Sequence, residues 1–99
     1  MAPIIDEFYV PLAAEEHILE RHGITSEEAV EAAESTPRHY RTYSGYEGER
    51  RYLLPGRTSD GRRVWVVFVD EGGRRGRIIT AFEPGDDRER TRHQRMRGA

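Results

Sequence analysis

The side chains of this sequence that can move protons near neutral pH are its four histidines, because an unperturbed imidazole titrates at about 6.5. His17 and His22 stand five apart in a stretch of helical spacing, which sets them about 140° apart around a helix. That angle does not suit a shared metal ion, and nothing else in the chain has ligand spacing, so no zinc site is expected. His22 falls on an apolar face beside Gly23 and reads first as a structural residue at a helix end. His17 sits with Ala13, Ala14 and Arg21 off that face, and both a catalytic and a surface role remain open for it. His39 and His93 lie in weakly patterned stretches and read as surface. The chain has no cysteine, which removes thiolate chemistry and disulfides and fits a reducing compartment.

The second chemical resource is arginine. All 16 basic residues are Arg and none is Lys. The planar guanidinium fork suits phosphate and base edges, although a GC-rich genome would also favour Arg. Residues 1–34 hold nine acids and one arginine, for −8, whereas residues 35–99 hold nine acids and fifteen arginines, for +6. The overall charge of −2 hides this split, which points to an anionic partner for the C-terminal half. Arg50, Arg51, Arg57, Arg62, Arg63, Arg74, Arg75 and Arg77 gather at strand ends. Singly each reads as solvated rim; together they can form a phosphate-binding surface. Tyr40, Tyr43, Tyr46 and Tyr52 are interleaved with them; aromatics among arginines stack unpaired bases, and tyrosine is also a good strand former. Thr80 is a lone hydroxyl in an apolar strand. On a regular strand it shares a face with Ile78 and Phe82, with Arg77, Ile79 and Ala81 opposite; it is either a tolerated buried threonine or a ligand for a phosphate oxygen.

These side chains need positioning by a small domain. Ninety-nine residues support one core. The organising stretch is Arg62 to Val69, R-R-V-W-V-V-F-V, apolar on both faces and bounded by Asp60-Gly61 and by Asp70 to Gly73. It reads as a central strand covered on both sides. Before it, Ile4 to Val10 reads as an edge strand. Pro11 opens a helix to about His22, with Leu12, Ile18, Leu19 and His22 near one face and Gly23 as its stop. Thr25-Ser26-Glu27-Glu28 is a capping box. It opens a second helix to about Glu34 with Ala29, Val30 and Ala33 as its stripe. His39–Ser44 and Glu49–Leu54 read as strands around a turn at Gly45 to Gly48, and Pro55 to Gly61 as a loop. Arg77–Glu83 is the last strand. Asp86-Asp87 caps Arg88 to Arg97, a basic helix or frayed tail. The expected fold is α+β: two N-terminal helices packed on a three- to five-stranded antiparallel sheet, then a short C-terminal helix. The helix–turn–helix layout around Gly23 is rejected for DNA, because the second helix carries Glu27, Glu28, Glu31 and Glu34. No Walker loop, G-x-G-x-x-G, nucleophile elbow or H-E-x-x-H is present.

Taken in order, His22-Gly23-Ile24-Thr25, Glu27-Glu28-Ala29, Gly56-Arg57-Thr58-Ser59-Asp60-Gly61-Arg62, the apolar strand, Arg77-Ile78-Ile79-Thr80-Ala81 and Glu89-Arg90 resemble the BrnT family and related small domains that begin with a histidine-bearing helix. The likeness spans roughly Glu16 to Arg90. Such a resemblance implies a RelE-like fold, metal-independent RNA cleavage and the toxin role of a type II toxin–antitoxin pair. It implies a base for the 2′-hydroxyl and cations on the scissile phosphate. Arg57, Arg77, Thr80 and Glu89 match the family pattern, and His17 matches the histidine of the related domains. One departure stands out: Phe82 occupies a position where the family has an arginine. Loss of such a cation would cost about 3–4 kcal/mol of transition-state stabilisation, by analogy with an oxyanion donor.

The reading that follows is an endoribonuclease toxin. His17, Arg57, Arg77 and Thr80 are its catalytic candidates; Arg51, Tyr52, Arg62 and Glu89 are its RNA contacts. The alternative is a non-catalytic RNA- or protein-binding module of the same fold. The expected partners are RNA and a cognate antitoxin protein, with a homodimer as a further assembly. No cofactor and no metal are called for. No apolar run approaches the ~20 residues of a membrane span, and the N-terminus does not read as a signal peptide, so a cytoplasmic location is expected.

Overall fold

A computed structural model describes residues 3–43 and 50–98. Within them the chain runs β1 (Glu7–Tyr9), α1 (Leu12–His22), α2 (Ser26–Ala33), β2 (Arg41–Tyr43), β3 (Arg51–Arg57), β4 (Arg63–Asp70), β5 (Arg75–Phe82) and α3 (Asp87–Met96). The strands form one sheet in the order β1-β5-β4-β3-β2. The fold is α+β, as expected. One pairing differs from an all-antiparallel sheet: β1 lies parallel to β5, because the chain returns to the β5 edge only after both helices and three further strands. The expected turn at Gly45 to Gly48, together with Ser44, Tyr46 and Glu49, lies outside the described residues.

Local chemistry accounts for the helix limits. Pro11 stands at the N-cap of α1 with extended backbone, and Gly23 ends it at φ 64°, its N–H donating to the Leu19 carbonyl at 2.9 Å. Gly relieves the Cβ strain of that left-handed conformation. The capping box of α2 is complete: the Glu28 amide donates to Thr25 Oγ1 at 3.1 Å, and the Thr25 amide donates to Glu28 Oε1 at 3.0 Å. Asp86 caps α3 by accepting from the Glu89 amide at 2.8 Å.

Every residue from Val64 to Val69 in β4 is buried. Each large apolar side chain so enclosed stabilises the fold by about 1.5–3 kcal/mol. On one face Leu54, Val64, Val66, Phe68, Ile78 and Ala81 meet Ile18, Ile24 and the alanines of α2. On the other, Leu53, Trp65 and Val67 meet Met96 of α3. Both faces of β4 are therefore covered, as its lack of alternation requires.

Several boundaries differ from the sequence reading. In α1 only Ile18 is buried; Leu12 and Leu19 are 86% and 51% exposed. The helix presents Ala14 and Ile18, one turn apart, to the core, rather than the stripe through Leu12 and Leu19. In α2 the buried stripe is Ala29, Ala32 and Ala33, with Val30 at its margin. β3 runs through Pro55 and Gly56 to Arg57, where a loop was expected. Pro55 is tolerated because β2 pairs with β3 only as far as Leu53, so its missing N–H falls on an unpaired edge. A Cβ on Gly56 would lie 2.6 Å from the Ala32 carbonyl carbon; glycine is what lets α2 pack directly on β3. The C-terminal segment is a packed helix: His93 and Met96 are both buried, against the expectation of a surface histidine in a basic tail.

The register between β4 and β5 slips at Val67/Phe68: Val67 pairs with Thr80, Phe68 with Ile78. Ile79 is the extra residue of a β-bulge. Thr80 and Phe82 therefore share the α3 face of the sheet with Arg77, and Ile78 and Ala81 face α1 and α2. This corrects the regular-strand expectation, which set Thr80 with Ile78 and against Arg77.

Candidate functional site

The bulge and register together build a row of side chains across the α3 face. Tyr43 pairs with Arg51, Arg51 with Val69, Val69 with Arg77, and Arg77 with Tyr9. The row thus crosses all five strands in the order Tyr43, Arg51, Val69, Arg77, Tyr9. Arg51 and Arg77 stand two strands apart, about 10 Å at normal strand spacing. The neighbouring row is Arg41, Leu53, Val67 and Thr80.

Arg77 is held in place. Its Nε donates to Glu71 Oε2 at 3.0 Å, and the Tyr9 hydroxyl donates to the other carboxylate oxygen. Those bonds, from Tyr9 first and then Arg77, hold the Glu71 carboxyl below the usual range and outweigh desolvation; the same carboxylate raises the Tyr9 phenol. The Arg75 guanidinium lies 4.1 Å from the centre of the Tyr9 ring. His17 projects from α1, exposed, and lines a shallow depression of about 340 Å³ with Pro11, Ala13, Ala14, Arg77, Ile78 and Ile79. Its ring centre lies 6.1 Å from that of His22, which lies 5.8 Å from Phe82. Burial, then the charges of His17 and Arg21, lowers the His22 pKa. Thr80 Oγ1 is a buried oxygen with no hydrogen-bond partner. Buried hydroxyls are ordinarily satisfied; Thr80 shares this state with Ser26 Oγ at the start of α2. Arg77, Thr80 and Arg51 thus share the α3 face, and His17 lines the depression that Arg77 borders.

The remaining candidates lie elsewhere. Arg57 is at the far end of β3, six residues from Arg51 and so about 20 Å along the strand. Its Nε donates to the Gly61 carbonyl at 3.3 Å and its backbone N–H to Ser35 Oγ at 3.1 Å. Arg62 is a clamp: it donates to Glu28 at 2.9 Å, Glu83 at 2.8 Å and the Gly23 carbonyl at 3.2 Å. It thereby ties α2 to the end of β5, and these bonds, Glu83's first, raise its pKa. Tyr52 is on the opposite face, buried, its ring stacked on Phe68 at 5.5 Å; it offers no face to a base. Tyr40 packs on the same ring at 5.1 Å. Glu89 lies in the first turn of α3, its carboxylate 3.6 Å from Arg92.

No protein-family model matches the chain, and no curated protein is detectably similar to it. Among the described residues, no group of three or more histidines and carboxylates is placed to hold a metal ion, and no helix is long and apolar enough to cross a membrane.

Sequence reasoning missed three features. Tyr9 and Glu71 lie in an edge strand and a turn, with no motif to link them to Arg77. His93 is fully buried, its Nε2 3.3 Å from the Val64 carbonyl and its ring 4.8 Å from Trp65. Its spacing of three from Met96 was the one available signal, submerged in a highly polar helix.

Proposed function

We propose that this chain is a metal-independent endoribonuclease acting as the toxin of a type II toxin–antitoxin pair, with its reaction centre on the α3 face around Arg77. The supporting observation is the bulge at Ile79, which sets Thr80 on the face of Arg77, beside the depression that His17 lines. The order of motifs that resembles BrnT points the same way. In this reading Arg77, anchored by Glu71, meets the scissile phosphate and stabilises charge developing on it. The Thr80 hydroxyl, enclosed in the free chain, donates to a phosphate oxygen once RNA binding uncovers it. The exposed His17 imidazole takes the 2′-hydroxyl proton, or returns one to the leaving 5′-oxygen. Arg51 carries the neighbouring phosphate along the row. In this reading Arg57, Arg62 and Tyr52 lie away from the reacting phosphate. The partner is an antitoxin whose acidic segment covers this face, and the setting is the cytoplasm.

Phe82 favours a second reading, a non-catalytic RNA-binding module. It occupies the family's arginine position and packs against the Leu53, Trp65 and Val67 cluster, so no cation reaches the site from there. Incubating cellular RNA with the purified chain in the presence of a chelator separates the two. Cleavage abolished by Arg77→Ala supports the nuclease; retarded but intact RNA supports the module.

A further inference from the structure

A larger cavity of about 880 Å³ lies along α3 and is bordered by Arg41 of β2. Four of its lining residues are arginines, Arg41, Arg88, Arg92 and Arg95, and two are acids, Asp86 and Glu89, which leaves the groove net positive. Arg88, Arg92 and Arg95 follow i, i+4, i+7 spacing and so form one stripe about 10 Å long. The Arg92 guanidinium lies 5.4 Å from the centre of the Trp65 ring, an arrangement that holds its charge over the sheet. Arg41 heads the row that crosses the sheet to Thr80, three strands or about 14 Å away. Leu53 and Val67, the middle of that row, are buried beneath Met96 of α3, so the groove is a surface separate from the proposed reaction centre.

We infer that this groove binds the phosphate backbone of RNA along the arginine stripe of α3. The inference rests on the nuclease reading for the identity of the polymer. The charge excess and the spacing of the stripe fit the phosphates of a polyanion. The stripe contacts phosphate and not base edges, so binding along it is indifferent to sequence and sensitive to salt.

The test is fluorescence anisotropy of a labelled, 2′-O-methylated single-stranded RNA, which cannot be cleaved, across a salt series. The variants are Arg88→Gln/Arg92→Gln/Arg95→Gln, the double Arg88→Gln/Arg95→Gln that keeps Arg92 on Trp65, and Arg90→Gln as a control. Arg90 shares the helix but is paired with Asp87. Circular dichroism and melting establish that each is folded. The triple variant is expected to bind at least tenfold more weakly. Its log–log salt slope should be shallower by about 2, at about 0.7 per phosphate contact on single strands. The double variant should lose about two thirds of that, and Arg90→Gln nothing. Unchanged affinity and slope in the folded triple variant would overturn the inference and leave the reaction centre standing. Competition by polyglutamate as effective as by RNA would overturn the assignment of the groove to RNA. If the wild-type chain binds no RNA at low salt, the nuclease reading falls, and this inference with it.

Discussion

Acidification should loosen α3 well before it protonates most carboxylates, and the reason is His93. Its ring is fully enclosed beneath α3 against Trp65. Nε2 meets the Val64 carbonyl at 3.3 Å, so that nitrogen carries the proton of the neutral imidazole, and Nδ1 has no partner. Burial, reinforced by the charges of Arg63 and Arg97, lowers its pKa to about 4, against the opposing effect of the Val64 bond. The unfolded imidazole takes up its proton near the ordinary value of about 6.5. A histidine with a depressed folded pKa stabilises the fold above 6.5 and loses that contribution as pH falls toward 4, because the unfolded state binds the proton first. The loss amounts to about 2 kcal/mol between pH 7 and pH 5 and about 3 kcal/mol in full. That is a large part of the 5–15 kcal/mol typical of a small domain. Urea unfolding at pH 7, 6 and 5 measures it, with His93→Gln as reference. The wild type should lose about 2 kcal/mol more than the variant over that range. Parallel pH dependences would refute the claim that the imidazole is buried neutral under α3.

Other substitutions probe how the site is positioned. Gly56→Ala forces a Cβ to within 2.6 Å of the Ala32 carbonyl carbon and nearer still to its oxygen, so α2 must shift; we expect a loss of about 2–3 kcal/mol by chemical denaturation. Thr25→Ala removes the accepting half of the capping box and should cost about 1 kcal/mol, read as a lower melting temperature with little change in the sheet. Glu71→Gln leaves the fold intact but loosens Arg77; under the proposed function it should lower the turnover of RNA cleavage about tenfold or more while RNA affinity stays within a fewfold.

Much of this architecture was legible in the residues because local chemistry dictated it. Thr25 and Glu28 announce their helix start, Gly23 its predecessor's stop, and the unbroken apolar run of β4 its central, doubly covered place. What stayed hidden depends on partners distant in sequence. Pro55 and Gly56 look like breakers, yet β2 ends before Pro55 and α2 packs directly on Gly56. Leu12 and Leu19 look like a core stripe, yet the sheet lies under Ala14 and Ile18. His93 looks like surface in a polar helix, yet it faces Trp65. The bulge at Ile79 is the most consequential case for the site. Nothing in R-I-I-T-A-F specifies an extra residue there; it arises where β5 fits β4, and it alone sets Thr80 on the face of Arg77. Arg57 and Arg77 seemed a natural pair by motif, and the register places them at opposite ends of the sheet.

The central claim is that RNA is cleaved at the Arg77 end of the α3 face. The most direct measurement is cleavage of cellular RNA by the purified, folded chain in the presence of a chelator, comparing wild type with Arg77→Ala, Thr80→Val and Arg57→Ala. The account predicts chelator-resistant cleavage that falls at least 100-fold in Arg77→Ala, falls measurably in Thr80→Val, and persists in Arg57→Ala. Full activity in Arg77→Ala, or activity lost only with Arg57, would contradict it.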